Sequence, residues 1–282
     1  MSGGHHFPNS KIGNDGKFAR GDLHAGKSPL EQQSDSGISI FDPVLCELAY
    51  RWFSSENGSV LDPFAGGSVR GIVASKLGRQ YTGIELRKEQ VDANVEQAKE
   101  ICKDNWPIWH CGSSVDIPTF CDGKEYDLIF SCPPYADLEV YSDDPRDLSN
   151  MSYDKFIEFY QDIITKSVAK LKQNRFAVFV VGEVRNKKGC GYYRHFVPDT
   201  ISCFKKAGAE YYNEAILITA IGSLPIRTGR MFESGRKLGK THQNVLVFCK
   251  GDAKEATKAC GEIKIDYDDI ELEQDNSSSI SL

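Results

Sequence analysis

A short apolar stretch, Ser59-Val60-Leu61, runs into Asp62-Pro63-Phe64-Ala65-Gly66-Gly67-Ser68 and then into a helical pattern from Val69 to Leu77. A strand that meets a helix through a glycine turn reads as the opening of a βαβ unit, which commits the chain beyond it to a layered α/β architecture. Glycine at such a turn lets the backbone approach a ligand with no Cβ between them. Nineteen residues after Gly66, at the end of the next strand (Tyr81 to Glu85), stands Glu85. An acid at that offset is placed to take both hydroxyls of a ribose. The pattern G-x-G-x-x-G is absent, so no pyrophosphate cradle is expected; Asp62 is instead read as orienting a cationic or amino-acid moiety.

The rest of the chain keeps the alternation. A helix is predicted over Asp42 to Phe53, with Pro43 at a tolerated first-turn position, and another from Lys88 to about Lys103. Trp106 to His110 and Tyr126 to Ser131 read as the third and fourth strands. Tyr153 to Leu171 has the spacing of an amphipathic helix, with Phe156, Phe159, Ile163, Val168 and Leu171 near one face. Arg175 to Gly182 is a near-continuous apolar run, as expected of a strand covered on both faces. Val197 to Lys206 reads as a helix, and Glu214 to Thr219 with Asn244 to Cys249 as a closing hairpin. The expected fold is a Rossmann-like, doubly wound α/β sheet, mostly parallel with an antiparallel last strand.

A second motif lies at the exit of the fourth strand, where Asp127 to Ser131 continues as Cys132-Pro133-Pro134-Tyr135. Two prolines stiffen that exit and remove backbone donors, leaving carbonyls free to accept. Acceptors around an amine delocalised into a ring favour its pyramidal form and expose its lone pair. An aromatic ring alongside can stack on a base swung out of a duplex.

Together the two motifs resemble the S-adenosylmethionine-dependent amino-methyltransferases that modify DNA at adenine N6 or cytosine N4. The family's first motif is approximately Asp-Pro-Phe-x-Gly-x-Gly; Asp62, Pro63, Phe64 and Gly66 match it, and Ser68 stands where the second glycine is usual. The resemblance implies S-adenosyl-L-methionine as cofactor, held by Phe41, Asp62, Pro63, Phe64, Ala65, Gly66, Gly67, Glu85 and Ser113, with Asp116 an alternative to the serine. It further implies catalysis by Cys132, Pro133, Pro134 and Tyr135. The family has Asp, Asn or Ser at the first of these positions, and the Cys132 thiol is a weaker acceptor. Implied alternatives are an RNA or protein-glutamine methyltransferase and an inactive nucleic-acid-binding subunit. A C5-type cysteine nucleophile does not fit the motif order.

The resemblance covers Ser39 to Lys250, and the methyltransferase domain is placed at 38–251. Residues 1–37 read as a flexible arm and 252–282 as an acidic tail, with Ile263 to Ile265 a candidate edge strand. The net charge of -6 argues against a non-specific nucleic-acid coat. Yet the 226–243 segment, read as a flexible loop with a role in target recognition, gathers Arg227, Arg230, Arg236, Lys237 and Lys240 against Glu233 alone. These cations suit phosphates, so the expected partner is double-stranded DNA with a flipped target base. The stretch 136–151 is a candidate lid carrying Arg146, and Glu183 or Arg185 is read as touching substrate or as an ion pair. Nine scattered cysteines without a C-x-x-C give neither a zinc site nor a disulfide framework, so no metal is expected. With no signal peptide or membrane span, the expected setting is the cytoplasm of a prokaryote, or of one hosting a virus, in a restriction-modification context.

Overall fold

A computed structural model describes residues 41–135, 142–186, 191–219, 222 and 224–263. Seven strands form one sheet in the order β3-β2-β1-β4-β5-β7-β6. The first five are parallel: β1 (Ser59–Asp62), β2 (Gln80–Glu85), β3 (Ile108–Cys111), β4 (Tyr126–Ser131) and β5 (Leu171–Val181). β7 (His242–Lys250) runs antiparallel to both β5 and β6 (Glu210–Ile218). The doubly wound sheet with its antiparallel closure is therefore as the sequence implies.

Strand periodicity sorts the core into two faces. Leu61, Ile84, Ile129, Phe179 and Phe248 point to one side, where α5 (Tyr153–Lys170) and α6 (Phe196–Lys206) cover them. Val60, Tyr81, Phe130, Val178 and Val247 point to the other. That side is covered by α1 (Pro43–Phe53), α2 (Val69–Lys76), α3 (Lys88–Ile101) and a closing helix, α8 (Ala253–Cys260). Asp42 caps α1 by accepting from the Val44 and Leu45 N–H groups, ahead of Pro43 in the first turn. A short helix, α4 (Ile117–Phe120), links β3 to β4.

Two expectations are corrected. The tail read from residue 252 begins with α8, whose N-cap Asp252 accepts from the Lys254 and Glu255 N–H groups. Ala256 is fully buried, so this segment is part of the core. Ile263 is not in a strand; Ile265, the remaining tail from 264 and the 1–37 arm lie outside the described residues. The basic loop, in turn, is mostly a helix, α7 (Leu224–Gly235), that buries none of its residues. It ends at Arg236, which is left-handed (φ 51°).

At the N-terminal end of the parallel strands, Asp127 pins β1, β4 and β5 together. It accepts from the Ser59 N–H at 3.0 Å, from Lys172 Nζ at 2.9 Å and from Arg175 Nε at 3.0 Å. Burial alone would raise its pKa, but these donors overcome that and bring it down from 3.8 to about 2. Its contribution to stability is complete above pH about 4 and is lost as pH falls through about 2. Asp127→Asn should therefore lower the urea midpoint at pH 7, and the gap from the parent protein should close between pH 4 and 2. A gap independent of pH would contradict the assigned role.

Candidate active site

Asp62 ends β1 with no exposed surface. Its Oδ2 accepts from Arg70 Nε at 2.6 Å and from the Tyr81 hydroxyl at 2.8 Å. Its Oδ1 accepts from the Ser131 hydroxyl at 2.5 Å and the Phe64 N–H at 3.1 Å. The carboxylate thus accepts from four donors of the protein itself, beneath the turn at which it is expected to orient part of the cofactor. Burial pulls the Arg70 pKa down and Asp62 more than restores it, so the guanidinium stays charged. The Tyr81 phenol is pushed well above its ordinary value, first by burial and then by Asp62.

This network shapes the glycine turn. Arg70 Nη2 donates to the Phe64 and Ala65 carbonyls at 2.7 and 2.8 Å. Ser114 donates to the Pro63 carbonyl, and Asn94 Nδ2 to that of Gly66 at 2.7 Å. Four consecutive carbonyls are therefore held by side chains from three elements, which fixes the turn without relying on the turn's own residues. Gly66 is left-handed (φ 52°), a conformation open to glycine at no steric cost. Its N–H donates to Glu85 Oε2 at 3.1 Å, and the Arg87 N–H donates to Oε1 at 2.9 Å. Beyond its chain neighbours, a Cβ at Gly66 or Gly67 would meet nothing within 4 Å among the described residues, so the turn is open toward them at the C-terminal edge of the parallel strands.

The predicted cofactor residues are accordingly brought together in part. Gly66, exposed Gly67 and half-buried Glu85 line the open side, whereas Asp62, Pro63 and Ala65 are buried beneath it. Phe64 is half-buried against Tyr160 and Phe179. Phe41 packs on Phe130 at 5.8 Å, with the Arg70 guanidinium 4.6 Å above its ring. Ser113, half-buried after β3, caps a short 3-10 turn by accepting from Val115, and Asp116 is exposed. The sequence motifs do not point to Arg70, Asn94, Ser114 or Ser131. A signal for one of them is present, since a buried acid at a strand end requires a counter-charge.

Ser131 also ties the cofactor side to the second motif, because its hydroxyl accepts from the Phe64 N–H at 3.2 Å while donating to Asp62. The next residue, Cys132, is half-buried with its sulfur 3.9 Å from the Tyr135 hydroxyl. Pro133 is buried and Pro134 half-buried. Tyr135 packs edge-on to Phe196, and Gln243 Nε2 donates to its hydroxyl at 2.5 Å. Beside it opens a cleft of ≈ 210 Å³ whose walls include Gly182, Glu183, Val184, Lys240 and His242.

The basic residues divide. Arg227, Arg230 and Arg236 are exposed, Arg236 lying 4.8 Å over the Phe232 ring. Lys237 is half-buried near Gly191, and Lys240 is at the cleft. Burial lowers the Lys240 pKa, against the opposing pull of Glu183 and Glu214. Arg185 donates to the Gly191 carbonyl at 3.0 Å and stacks on Tyr193, so it is a structural residue here. Of the candidate lid, residues 136–141 lie outside the described residues; further along, Arg146 pairs with Asp144 at 2.7 Å. Among the described residues, no group of His, Cys, Asp and Glu is placed to hold a metal, and no helix is long and apolar enough to cross a membrane.

The sheet order, the open glycine turn after β1 and the acid ending β2 define the class by fold: a Rossmann-like α/β protein whose glycine turn opens at the C-terminal edge of the parallel strands. Residues 44–97 match the model of a DNA methylase family, the N6/N4 methyltransferases, so the resemblance seen in the sequence holds over that segment. No curated protein matches the chain. Among solved structures, one assigned as a sarcosine dimethylglycine methyltransferase from Galdieria sulphuraria is similar in fold, with a TM-score of 0.51 at 15% identity over 79% of this chain and 87% of that one. TrmN from Thermus thermophilus (TM-score 0.49, 16% identity, 74% of this chain) is a longer protein, of which this chain spans 49%. A methyltransferase from Pyrococcus furiosus has a TM-score of 0.49 at 15% identity, over 76% of this chain and 85% of its own.

Proposed function

We propose that the protein transfers the methyl group of S-adenosylmethionine to an exocyclic amino group of a flipped base in DNA, at adenine N6 or cytosine N4. The observation that carries this reading is the direct linkage of the two motifs. Ser131 bonds the glycine turn and is followed at once by Cys132-Pro133-Pro134-Tyr135, whose tyrosine lines a cleft. The match of residues 44–97 to a DNA methylase family supports the choice of polymer.

Bound at the glycine turn, S-adenosylmethionine supplies an electrophilic sulfonium methyl group. Gly66 and Gly67 leave room for it, and Glu85 stands where ribose hydroxyls are taken. Phe41 and Ser113 are proposed to bound the site from α1 and from the turn after β3. The carbonyls around Pro133 and Pro134, which no proline N–H can occupy, accept from the target amine. Tyr135 offers a ring face to the base. Lys240 lines the cleft, and Arg227 and Arg230 on α7, with Arg236 and Lys237 just beyond its end, are proposed to meet phosphates.

The test is incubation with methyl-labelled cofactor and unmodified DNA, RNA or protein, followed by digestion. N6-methyladenine or N4-methylcytosine is expected; label confined to RNA or to protein would overturn the DNA assignment. Cofactor binding with no transfer to any polymer would identify a non-catalytic subunit. Cys132→Ser restores a stronger acceptor of similar size, so its turnover should equal or exceed that of the parent. Complete loss would mean that the thiol has a role of its own.

A further inference from the structure

Glu183, two residues beyond β5, lines the cleft with half of its carboxylate unspent among the described residues. Its Oε1 accepts from the Val197 N–H at 3.0 Å, in the first turn of α6. Its Oε2 is buried and has no hydrogen-bond partner among the described residues. A buried acceptor left unpaired costs roughly 1–3 kcal/mol, more when charged, so a donor brought to this oxygen by a ligand would be stabilising. The only cation on the same wall, Lys240, is held apart from it without an ion pair among the described residues.

Strand register says where that donor would be. Ser131 pairs with Phe179 across the parallel β4–β5 ladder. Tyr135 lies four residues beyond Ser131, and Glu183 four beyond Phe179, so the two leave the sheet side by side and share the cleft. The first residue of the Pro-Pro-Tyr motif is a thiol, a poor acceptor, and the neighbouring strand brings a carboxylate to the wall of the cleft that Tyr135 lines.

We infer that Glu183 Oε2 receives a hydrogen bond from the amino group to be methylated, and so selects bases bearing an amine over those bearing a carbonyl at that position. This rests on the proposed action on a base amine. A carboxylate presents only lone pairs, so an N–H₂ satisfies it while a C=O there adds a second acceptor and leaves both unpaired. Sites that pair a buried polar group discriminate far more strongly than apolar ones.

Glu183→Gln tests this cleanly. The amide oxygen can still accept from Val197, keeping α6 capped, while the amide N–H₂ replaces the acceptor by a donor. Single-stranded oligo(dA) and oligo(dI), or oligo(dC) and oligo(dU), differ in the group at issue and need no flipping. Each would be used as a competitor of methyl transfer onto unmodified DNA, at fixed salt. With the parent protein, the amino member of the pair for the methylated base should compete at least tenfold better than its carbonyl counterpart. In Glu183→Gln that preference should vanish or reverse, with cofactor affinity unchanged and turnover reduced. An active parent whose preference survives the substitution overturns the inference alone. A parent that methylates no nucleic acid overturns the proposed function, and this inference with it. Should the variant lose cofactor binding, Lys240→Met offers a second reading, because it removes the other charge at the cleft and should leave the amino preference intact if Glu183 sets it; loss of the preference would reassign selection to the lysine.

Discussion

Asp62→Ala is expected to destabilise the protein by about 3–5 kcal/mol, the typical cost of removing one partner of a buried pair, and to abolish cofactor binding. Arg70 would be left charged and 5% exposed, with the carbonyls of Phe64 and Ala65 as its remaining partners. Tyr81 and Ser131 would lose their acceptor as well. Against a typical domain stability of about 5–15 kcal/mol, that loss is large enough to read directly in a urea transition. The double variant Asp62→Ala with Arg70→Met should recover part of it, since no buried charge then remains. If the single and double variants were equally destabilised, the ion pair would not be the source of the effect.

Gly67→Val should do the opposite, leaving the fold intact and removing the ligand. Among the described residues, no atom beyond the chain neighbours lies within 4 Å of a Cβ at this position, and its φ is not in the left-handed region, so the unfolding free energy should move by less than about 0.5 kcal/mol, as for other substitutions away from packed groups. The added methyls would fill the space that the cofactor needs. Calorimetric titration with S-adenosylmethionine should show at least a tenfold weaker affinity. An unchanged affinity would place the cofactor away from the turn. Gly66→Ala is a poorer probe, because its left-handed backbone adds a conformational cost of roughly 1–2 kcal/mol to any effect on binding.

Much of this site is legible in the residues because it depends on local order. A strand, a glycine turn and an acid at the next strand end are contiguous in sequence, as are a strand, two prolines and a tyrosine. What sequence does not decide is which way a strand-end acid faces. Asp62 and Glu85 read alike, yet Asp62 is sealed by four donors and Glu85 closes the turn at the open side. That distinction depends on Tyr81 and Ser131, which come from β2 and β4. Composition misleads at both corrected segments. Gly229, Gly235 and Gly239 suggest a loop, although Ile226, Arg227, Arg230 and Phe232 have helical spacing. In the tail, acidic content hides the pairing of Asp252 with Glu255 three residues on, a helix-start pattern followed by an alanine-bearing turn. Glu183 is a visible candidate from its strand end, but only the register of β4 and β5 puts it beside Tyr135.

The reversed direction of β7 has a consequence for how such a chain can diversify. Because β7 runs against its neighbours, the backbone re-enters the sheet at the rim where β1, β4 and β5 leave it, and Gln243 meets Tyr135 there. The side chains that bond the carbonyls of the glycine turn lie between Arg70 and Ser114, whereas α7, between β6 and β7, buries none of its side chains. On the proposed function, donor binding and contact with phosphates are therefore written in separate portions of the gene. Length and charge can change in the second portion by insertion or exchange while the first stays untouched.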